Sequence, residues 1–130
     1  MSESLQDIAQ RMVATGKGIL AADESTGSIQ KRLDSIGVVS TADTRRDYRE
    51  MLFRAEAMHQ SISGVILYDE TLRQKTRDGV PFAEVMRRNG IIPGIKVDKG
   101  PQPLAGFPGE VVTEGLDGLR DRLKEYAALG

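Results

Sequence analysis

Three short runs of apolar residues, separated by stretches with helical periodicity, constrain the fold of this chain more than any other feature. The runs are residues 18–22, 64–68 and 92–97. Short, continuous apolar runs are typical of strands buried on both faces, as in a parallel sheet. Strands that alternate with helices favour right-handed crossovers between parallel neighbours. The sequence therefore predicts an α/β fold with three adjacent, parallel strands.

The segments between the runs carry apolar residues at helical spacing. A first helix is predicted on Leu5, Ile8, Ala9 and Met12, with Ser4 and Asp7 as a capping pair. A hairpin arm is expected at Val111 and Val112 within an irregular, proline-rich region. A second, short helix is predicted on Ile29, Leu33 and Ile36, and a third over 44–58. In the third helix Tyr48, Met51 and Leu52 are expected to face inward, and Arg49 to lie largely elsewhere. Pro81 is expected to open another helix, and the last helix is predicted to carry Leu116, Leu119, Leu123 and Tyr126.

Composition excludes several classes of site and partner. The 130 residues contain no cysteine and a single histidine, His59, which excludes disulfides, zinc–thiolate or iron–sulfur centres, a cysteine nucleophile and a histidine-rich metal site. The 18 basic and 19 acidic residues give a net charge of −1, which supports binding neither to nucleic acid nor to an anionic membrane. No apolar run approaches the length of a membrane span, and residues 1–4 lack signal-peptide character, so we expect a cytoplasmic protein.

Each of the three apolar runs ends in an acidic residue. These residues are Asp23, Asp69 and Asp98. Functional side chains of parallel α/β folds gather at the carboxyl ends of the strands. Acidic residues also begin helices well, because they complement the helix dipole. Both interpretations stay open for Asp23 and Asp98, whereas Asp69, followed by Glu70, is assigned to a helix start.

Lys96 lies between Ile95 and Val97 inside the third apolar run. An ammonium on a buried strand needs an anion or a water-filled cavity. If the sheet curls into a barrel, the side chain of Lys96 points inward and Asp23 is its natural partner. The alternative is a frayed strand end from which the side chain reaches water.

A hydroxyl-rich turn follows the first predicted strand. Ser25 and Ser28 lie where a helix is expected to begin, and backbone N–H groups and hydroxyls at that position suit a phosphate. Plain helix capping accounts equally for these serines. Arg32, one turn further on, can converge on the same anion or can be an ordinary solvated arginine.

Longer blocks of the sequence resemble a single enzyme family. Several blocks in a fixed order are far more specific than one motif, and they extend from about Leu5 onward. Residues 16–28, 31–33, 64–68, 70–72, 94–100, 103–106 and 114–119 together resemble class I fructose-bisphosphate aldolases.

The resemblance implies the N-terminal part of a TIM (β/α)8 barrel, with about three βα units after an N-terminal helix, as one incomplete domain over residues 1–130. It implies a metal-independent, cofactor-free glycolytic lyase that cleaves fructose 1,6-bisphosphate to dihydroxyacetone phosphate and glyceraldehyde 3-phosphate through a lysine Schiff base. It also implies that full-length relatives are homo-oligomers, namely tetramers.

The same resemblance assigns roles to individual residues. Asp23 resembles the catalytic aspartate on strand one that helps to position the substrate and the Schiff-base lysine. Lys96 resembles the lysine on strand three that lines the catalytic site. Ser25, Ser28 and Arg32 resemble residues that contact the substrate or its phosphates.

The chain supplies only part of such a barrel, which needs eight strands and typically about 250 residues. The family's Schiff-base lysine, its paired glutamates and a second site lysine lie on later strands, and no residue here matches them. We therefore expect a fragment that is inactive alone. The alternative is a non-catalytic sugar-phosphate-binding or interaction module that retains Ser28, Arg32 and Lys96, whereas an unrelated α/β domain does not account for the ordered blocks.

Overall fold

The computed structural model describes residues 3–130 and contains the predicted parallel sheet. Its strands are β1 (Gly18–Ala22), β2 (Ile62–Leu67) and β3 (Ile92–Ile95), in the order β1-β2-β3. Both neighbouring pairs are parallel, so the prediction of three adjacent, parallel strands is confirmed. Met1 and Ser2, part of the segment judged to lack signal-peptide character, lie outside the described residues.

Helices alternate with these strands, and a hairpin precedes the last helix. The hairpin, predicted around Val111 and Val112, pairs β4 (Gly100–Pro103) with β5 (Val111–Glu114) in antiparallel fashion. Within residues 3–130, no helix is both long and apolar enough to cross a bilayer. The helices are α1 (Leu5–Met12), α2 (Thr26–Asp34), α3 (Ala42–Phe53), α4 (Met58–Ser61), α5 (Asp69–Arg73), α6 (Phe82–Arg88) and α7 (Leu119–Leu129).

The amino-terminal helix α1 begins as predicted. Ser4 and Asp7 form a capping box, in which each side chain accepts a hydrogen bond from the other residue's backbone N–H. The helix is held against the start of the sheet by Ser63, whose hydroxyl lies 2.5 Å from the carbonyl oxygen of Met12 and 3.2 Å from that of Gly18. This contact places α1 at the amino-terminal end of β1 and β2, away from the strand tips.

The hydrophobic core lies between the sheet and the helices that follow its strands. Phe53 and Phe82 meet edge to face with their ring centroids 5.2 Å apart. They pack with Val65 and Leu67 of β2, the central strand. Tyr126 of α7 belongs to the same cluster, so the last helix is anchored to the rest of the chain.

The first strand is not buried on both faces, contrary to the prediction. Ile19 is 46% exposed and Ala21 is also exposed, whereas Ala22 is 1% exposed. The helices of the described residues cover one face of β1, and its alternate side chains project from the other face. In a complete barrel the remaining strands enclose an interior, and the exposed apolar side chains of β1 would be buried there.

Three predicted helix details are wrong. The helix predicted over 44–58 ends at Phe53, where the backbone N–H of Arg54 donates to the carbonyl of Glu50, and a separate helix, α4, begins only at Met58. Ile36 and Met51 are 70% and 63% exposed, since both point away from the core. Leu116 is 86% exposed and precedes α7, which begins only after Gly118.

Candidate active site

A cleft of about 910 Å³ opens at the carboxyl ends of the three parallel strands. The turn after β1, the start of α5, the segment after β3 and one side of α7 form its walls. Four of the five predicted site residues line it, and Arg32 does not. The lining residues named below are Asp23, Glu24, Ser25, Ser28, Asp69, Arg73, Lys96, Asp98, Arg122 and Tyr126.

Lys96 lies at the tip of β3 rather than inside it. The strand was predicted to reach residue 97, but β3 ends at Ile95. The last backbone hydrogen bond to β2 is donated by the N–H of Lys96 to the carbonyl of Leu67, at 2.9 Å. Beyond this bond β3 has no strand partner among residues 3–130, because β2 is followed by α5. The ammonium pairs with the carboxylate of Asp98 and lies 3.9 Å from that of Asp23. The predicted approach of Asp23 and Lys96 is therefore present.

Asp98 does not begin a helix, the alternative that the sequence left open for it. Its carboxylate binds the Lys96 ammonium and also accepts the backbone N–H of Gly100 at 2.9 Å. Both interactions favour the charged form, and the hydrogen bond from Lys96 is the main reason that the pKa of Asp98 lies below its ordinary value. The carboxylate is thus held ionised beside the ammonium.

The segment that carries Asp98 packs closely against Gly115, just after β5. Gly115 has a φ of +151°, and a Cβ at this position would lie 2.8 Å from Asp98 Cα and 2.9 Å from the carbonyl oxygen of Val97. Real Cβ atoms do not approach backbone this closely, so only glycine fits. Arg122 secures the same segment, because its guanidinium donates to the carbonyls of Val97 and Gly115 at 3.0 and 2.8 Å.

The two cleft serines lie at the start of α2. Ser25 is the N-cap, and its hydroxyl accepts the backbone N–H of Ser28 at 3.4 Å and lies 3.2 Å from the Ser28 hydroxyl. Helix capping therefore accounts for their local geometry, as the sequence allowed. The capped turn also presents both hydroxyls to the cleft.

Arg32 pairs with Glu24, which lines the cleft, but Arg32 does not line the cleft itself. Its guanidinium lies 2.7 Å from one carboxylate oxygen of Glu24, and its side chain is 60% exposed. The Glu24 carboxylate also lies 3.0 Å from Arg49, whose side chain is 2% exposed. One carboxylate is therefore shared by two arginines, and the predicted convergence of Arg32 with Ser28 on an anion stays a prediction.

The far wall of the cleft contains an acid that the sequence assigned only to a helix start. Asp69 is indeed the first residue of α5, but it also accepts the hydroxyl of Tyr126 at 3.0 Å and the guanidinium of Arg73 at 3.1 Å. Hydrogen bonding from Arg73, and then from Tyr126, lowers the pKa of Asp69. Burial is the main reason that the pKa of Tyr126 is raised, and the hydrogen bond to Asp69 is the second reason. These residues tie α5 and α7 together.

Sequence reasoning missed Arg49, Tyr126 and Arg122. Their spacing carries no local signal, because their partners lie 27, 57 and 25 positions away along the chain. Across residues 3–130, no group of three histidine or acidic side chains is placed to hold a metal ion. The cleft instead combines an ion-paired ammonium, ionised carboxylates and serine hydroxyls, a set suited to a polyhydroxylated anion.

Comparison with known proteins places this arrangement in a family. The family model for class-I fructose-bisphosphate aldolase matches residues 4–130. The chain is 63% identical over 128 residues to a probable class 1 fructose-bisphosphate aldolase of Xanthomonas axonopodis pv. citri, covering 98% of this chain and 38% of that protein. It is 61% identical over 123 residues to fructose-bisphosphate aldolase C of Carassius auratus, covering 94% of this chain and 34% of that protein.

A solved structure agrees with the sequence comparisons. Fructose-bisphosphate aldolase from Plasmodium falciparum, in complex with TRAP and a small-molecule inhibitor, matches with a TM-score of 0.91 and 49% identity over 95% of this chain and 35% of that one. The chain thus spans little more than a third of the length of the relatives it matches. The parallel strands with their site at the carboxyl ends correspond to an N-terminal part of the TIM barrel, and the chain belongs to the class I fructose-bisphosphate aldolase family.

Proposed function

We propose that this chain supplies the first three strands of a fructose-bisphosphate aldolase barrel, together with part of the cradle for the sugar bisphosphate, and that it is inactive alone. The observation that carries the proposal is the meeting of Asp23, Lys96 and Asp98 in one cleft at the strand tips. Family membership supports the reaction, which is metal-independent cleavage of fructose 1,6-bisphosphate into two triose phosphates.

The geometry supports a binding role for Lys96. Its ammonium can donate to a phosphate or sugar oxygen while Asp98 holds it from one side. Lys96 matches the strand-three lysine of the family and not its Schiff-base lysine, so we assign it to binding and not to nucleophilic attack. The Schiff base forms instead on a lysine from a strand outside the 130 residues.

Asp23 complements Lys96 across the cleft. Its carboxylate, 3.9 Å from the ammonium, can accept a hydrogen bond from a substrate hydroxyl or orient an incoming lysine ammonium. Ser25 and Ser28 offer hydroxyl donors from the start of α2, where the helix dipole also favours an anion. These groups bind and orient the substrate, and the covalent chemistry comes from the rest of the barrel.

The sheet supports the dependence on the rest of the barrel. Within the described residues, β1 and β3 are edge strands, each with one side unpaired. Unpaired N–H and C=O groups on strand edges are templates for further strands. The outer edge of β3 is where the next strand of a barrel pairs.

The test uses a chimaera in which this chain replaces the segment of the Xanthomonas axonopodis protein that it matches. We expect the chimaera to cleave fructose 1,6-bisphosphate in the presence of EDTA. Borohydride trapping followed by intact-mass measurement is expected to give a substrate adduct on the chimaera and none on the isolated chain. Peptide mapping is expected to place the adduct outside the 130 residues. An adduct on the isolated chain that disappears in Lys96→Met would overturn the proposal.

A matched pair of lysine variants tests the cradle. We expect Lys96→Met to lower the kcat/KM of the chimaera about 10²–10³-fold, the usual loss when a charge-stabilising donor is removed from an active site. Lys17→Met is the control, because the Lys17 ammonium donates to the carbonyl of His59 at the opposite end of the sheet. Equal losses in the two variants would show that Lys96 has no special place in the site.

A further inference from the structure

Arg49 is a charged residue that is only 2% exposed and lies beneath the cleft. It belongs to α3, and its guanidinium reaches the turn that follows β1. Nε donates to the carbonyl of Ala22 at 3.0 Å, and Nη2 donates to the carbonyl of Glu24 at 3.1 Å. Nη2 also lies 3.0 Å from the carboxylate of Glu24.

Core packing alone does not require this charge. Desolvating a guanidinium is costly, and a well-packed apolar side chain often stabilises a core at least as well as a buried ion pair. Nη1 of Arg49 has no hydrogen-bond partner, so even the polar contacts are incomplete. The donors that are used all go to the two residues on either side of Asp23.

The sheet does not hold Asp23 in place. The pairing of β1 with β2 ends at Ala22, opposite Leu67. Beyond that point the chain must still place the Asp23 carboxylate 3.9 Å from Lys96. Arg49 bonds the carbonyl before Asp23 and the carbonyl after it, and so it takes over from the sheet at the end of the strand.

We propose that Arg49 is a positioning residue, which fixes the turn carrying Asp23 through the carbonyls of Ala22 and Glu24 and so sets the spacing between Asp23 and Lys96. The role in catalysis rests on the proposed function of the cleft. Arg49 does not line the cleft. It acts only through the backbone that it holds.

Arg45 provides a matched control on the same helix, one turn earlier. Its guanidinium forms a two-point pair with the carboxylate of Glu70, at 2.8 and 2.6 Å, and its side chain is 14% exposed. Arg45→Met therefore also breaks a largely buried ion pair on α3, but it removes no contact with the turn that carries Asp23.

The experiment compares Arg49→Met, Arg49→Lys and Arg45→Met in the chimaera. Hydrogen exchange measured by mass spectrometry is expected to be about tenfold faster in a peptide covering the turn after β1 in Arg49→Met, and unchanged there in Arg45→Met. The kcat of Arg49→Met is expected to fall about 10²-fold, with a smaller change in KM, because misplacement of a catalytic group by about 1 Å costs this much. Arg49→Lys, which can reach one carbonyl, is expected to recover part of both losses.

Several results would overturn the proposal. One is faster exchange spread equally over the chain in both methionine variants, which indicates a merely structural role. Another is an Arg49→Lys variant whose hydrogen exchange in the turn and whose kcat are both the same as in the unmodified chimaera. Arg49→Lys is also the variant that tests the proposal if Arg49→Met does not fold. If the unmodified chimaera is inactive while exchange in the turn still depends on Arg49, then the proposed function fails and the ordering of the turn by Arg49 stands.

Discussion

Substitution of Gly115 by alanine should loosen the segment that holds Lys96. The new Cβ would lie 2.8 Å from Asp98 Cα and 2.9 Å from the carbonyl oxygen of Val97, and both neighbours are backbone atoms that cannot rotate away. Overpacking of this kind costs about 1–3 kcal/mol. The φ of +151° adds about 1–3 kcal/mol of backbone strain for a residue with a Cβ. We therefore expect Gly115→Ala to lower the free energy of unfolding by about 2–6 kcal/mol.

The packing contribution can be separated from the backbone contribution. Gly106 also has a positive φ, of +79°, but a Cβ there would meet nothing within 4 Å. Gly106→Ala should therefore show the backbone cost alone, about 1–2 kcal/mol. Urea denaturation of the two chimaera variants, followed by circular dichroism, measures the difference between them.

Gly115→Ala should also have a local effect near the cleft. If Gly115→Ala displaces the backbone of Asp98, the Lys96–Asp98 pair should weaken, and the carboxyl carbon of Asp98 should titrate closer to its ordinary pKa in an NMR experiment. Equal stability losses in Gly115→Ala and Gly106→Ala would refute the close packing. An unchanged titration of Asp98 would refute the link to Lys96.

Two further predictions concern the charge pair and the core. The pKa of Asp98 is lowered in the folded state, so its stabilising contribution is present above the ordinary carboxyl pKa and is lost as the pH falls through the folded value. Acid denaturation of the chimaera should show this loss. Lys96→Met should reduce it but not abolish it, because the backbone N–H of Gly100 still donates to the carboxylate. Phe82→Ala should cost about 3–5 kcal/mol, since the ring is fully buried. A double-mutant cycle with Phe53→Ala should give a coupling of about 0.5–1.5 kcal/mol, and additive losses would contradict the edge-to-face contact.

The sequence carried enough information to predict the sheet and the charged pair in the cleft. Three apolar runs between helical segments specify parallel strands, because strand and helix periodicities differ clearly. A lysine bounded by Ile95 and Val97 needs an anion, and parallel strands bring their carboxyl ends to one edge. The approach of Asp23 and Lys96 follows from these two rules. The catalytic roles of Asp23 and Lys96, and the substrate-binding roles of Ser25, Ser28 and Arg32, stay predictions.

The sequence could not predict the contacts made by Arg49. Helical periodicity assigned Arg49 to the side of α3 away from the apolar face, since arginine is usually solvated. Its partners are backbone carbonyls of the β1 turn, and carbonyls carry no residue-specific pattern. Only the packing of α3 against the end of β1 brings donor and acceptors together.

For Arg32, the sequence predicted the position of the residue on the helix but not the direction of its side chain. Its position one turn after Ser28 predicted convergence on the same anion, but helical spacing places only the Cα and leaves a long side chain free to choose its partner. Glu24, eight positions earlier, offers a carboxylate at 2.7 Å. The nearest counter-charge therefore decided the orientation of Arg32.

The double pairing of Glu24 has a consequence for anything that competes for Arg32. An anion that recruits this arginine exchanges one counter-ion for another, so the net electrostatic gain is smaller than for an unpaired arginine. Glu24 keeps its partner Arg49 after the exchange, and no carboxylate is left buried alone. The shared carboxylate thus lets Arg32 change partner without leaving an uncompensated buried charge on Glu24.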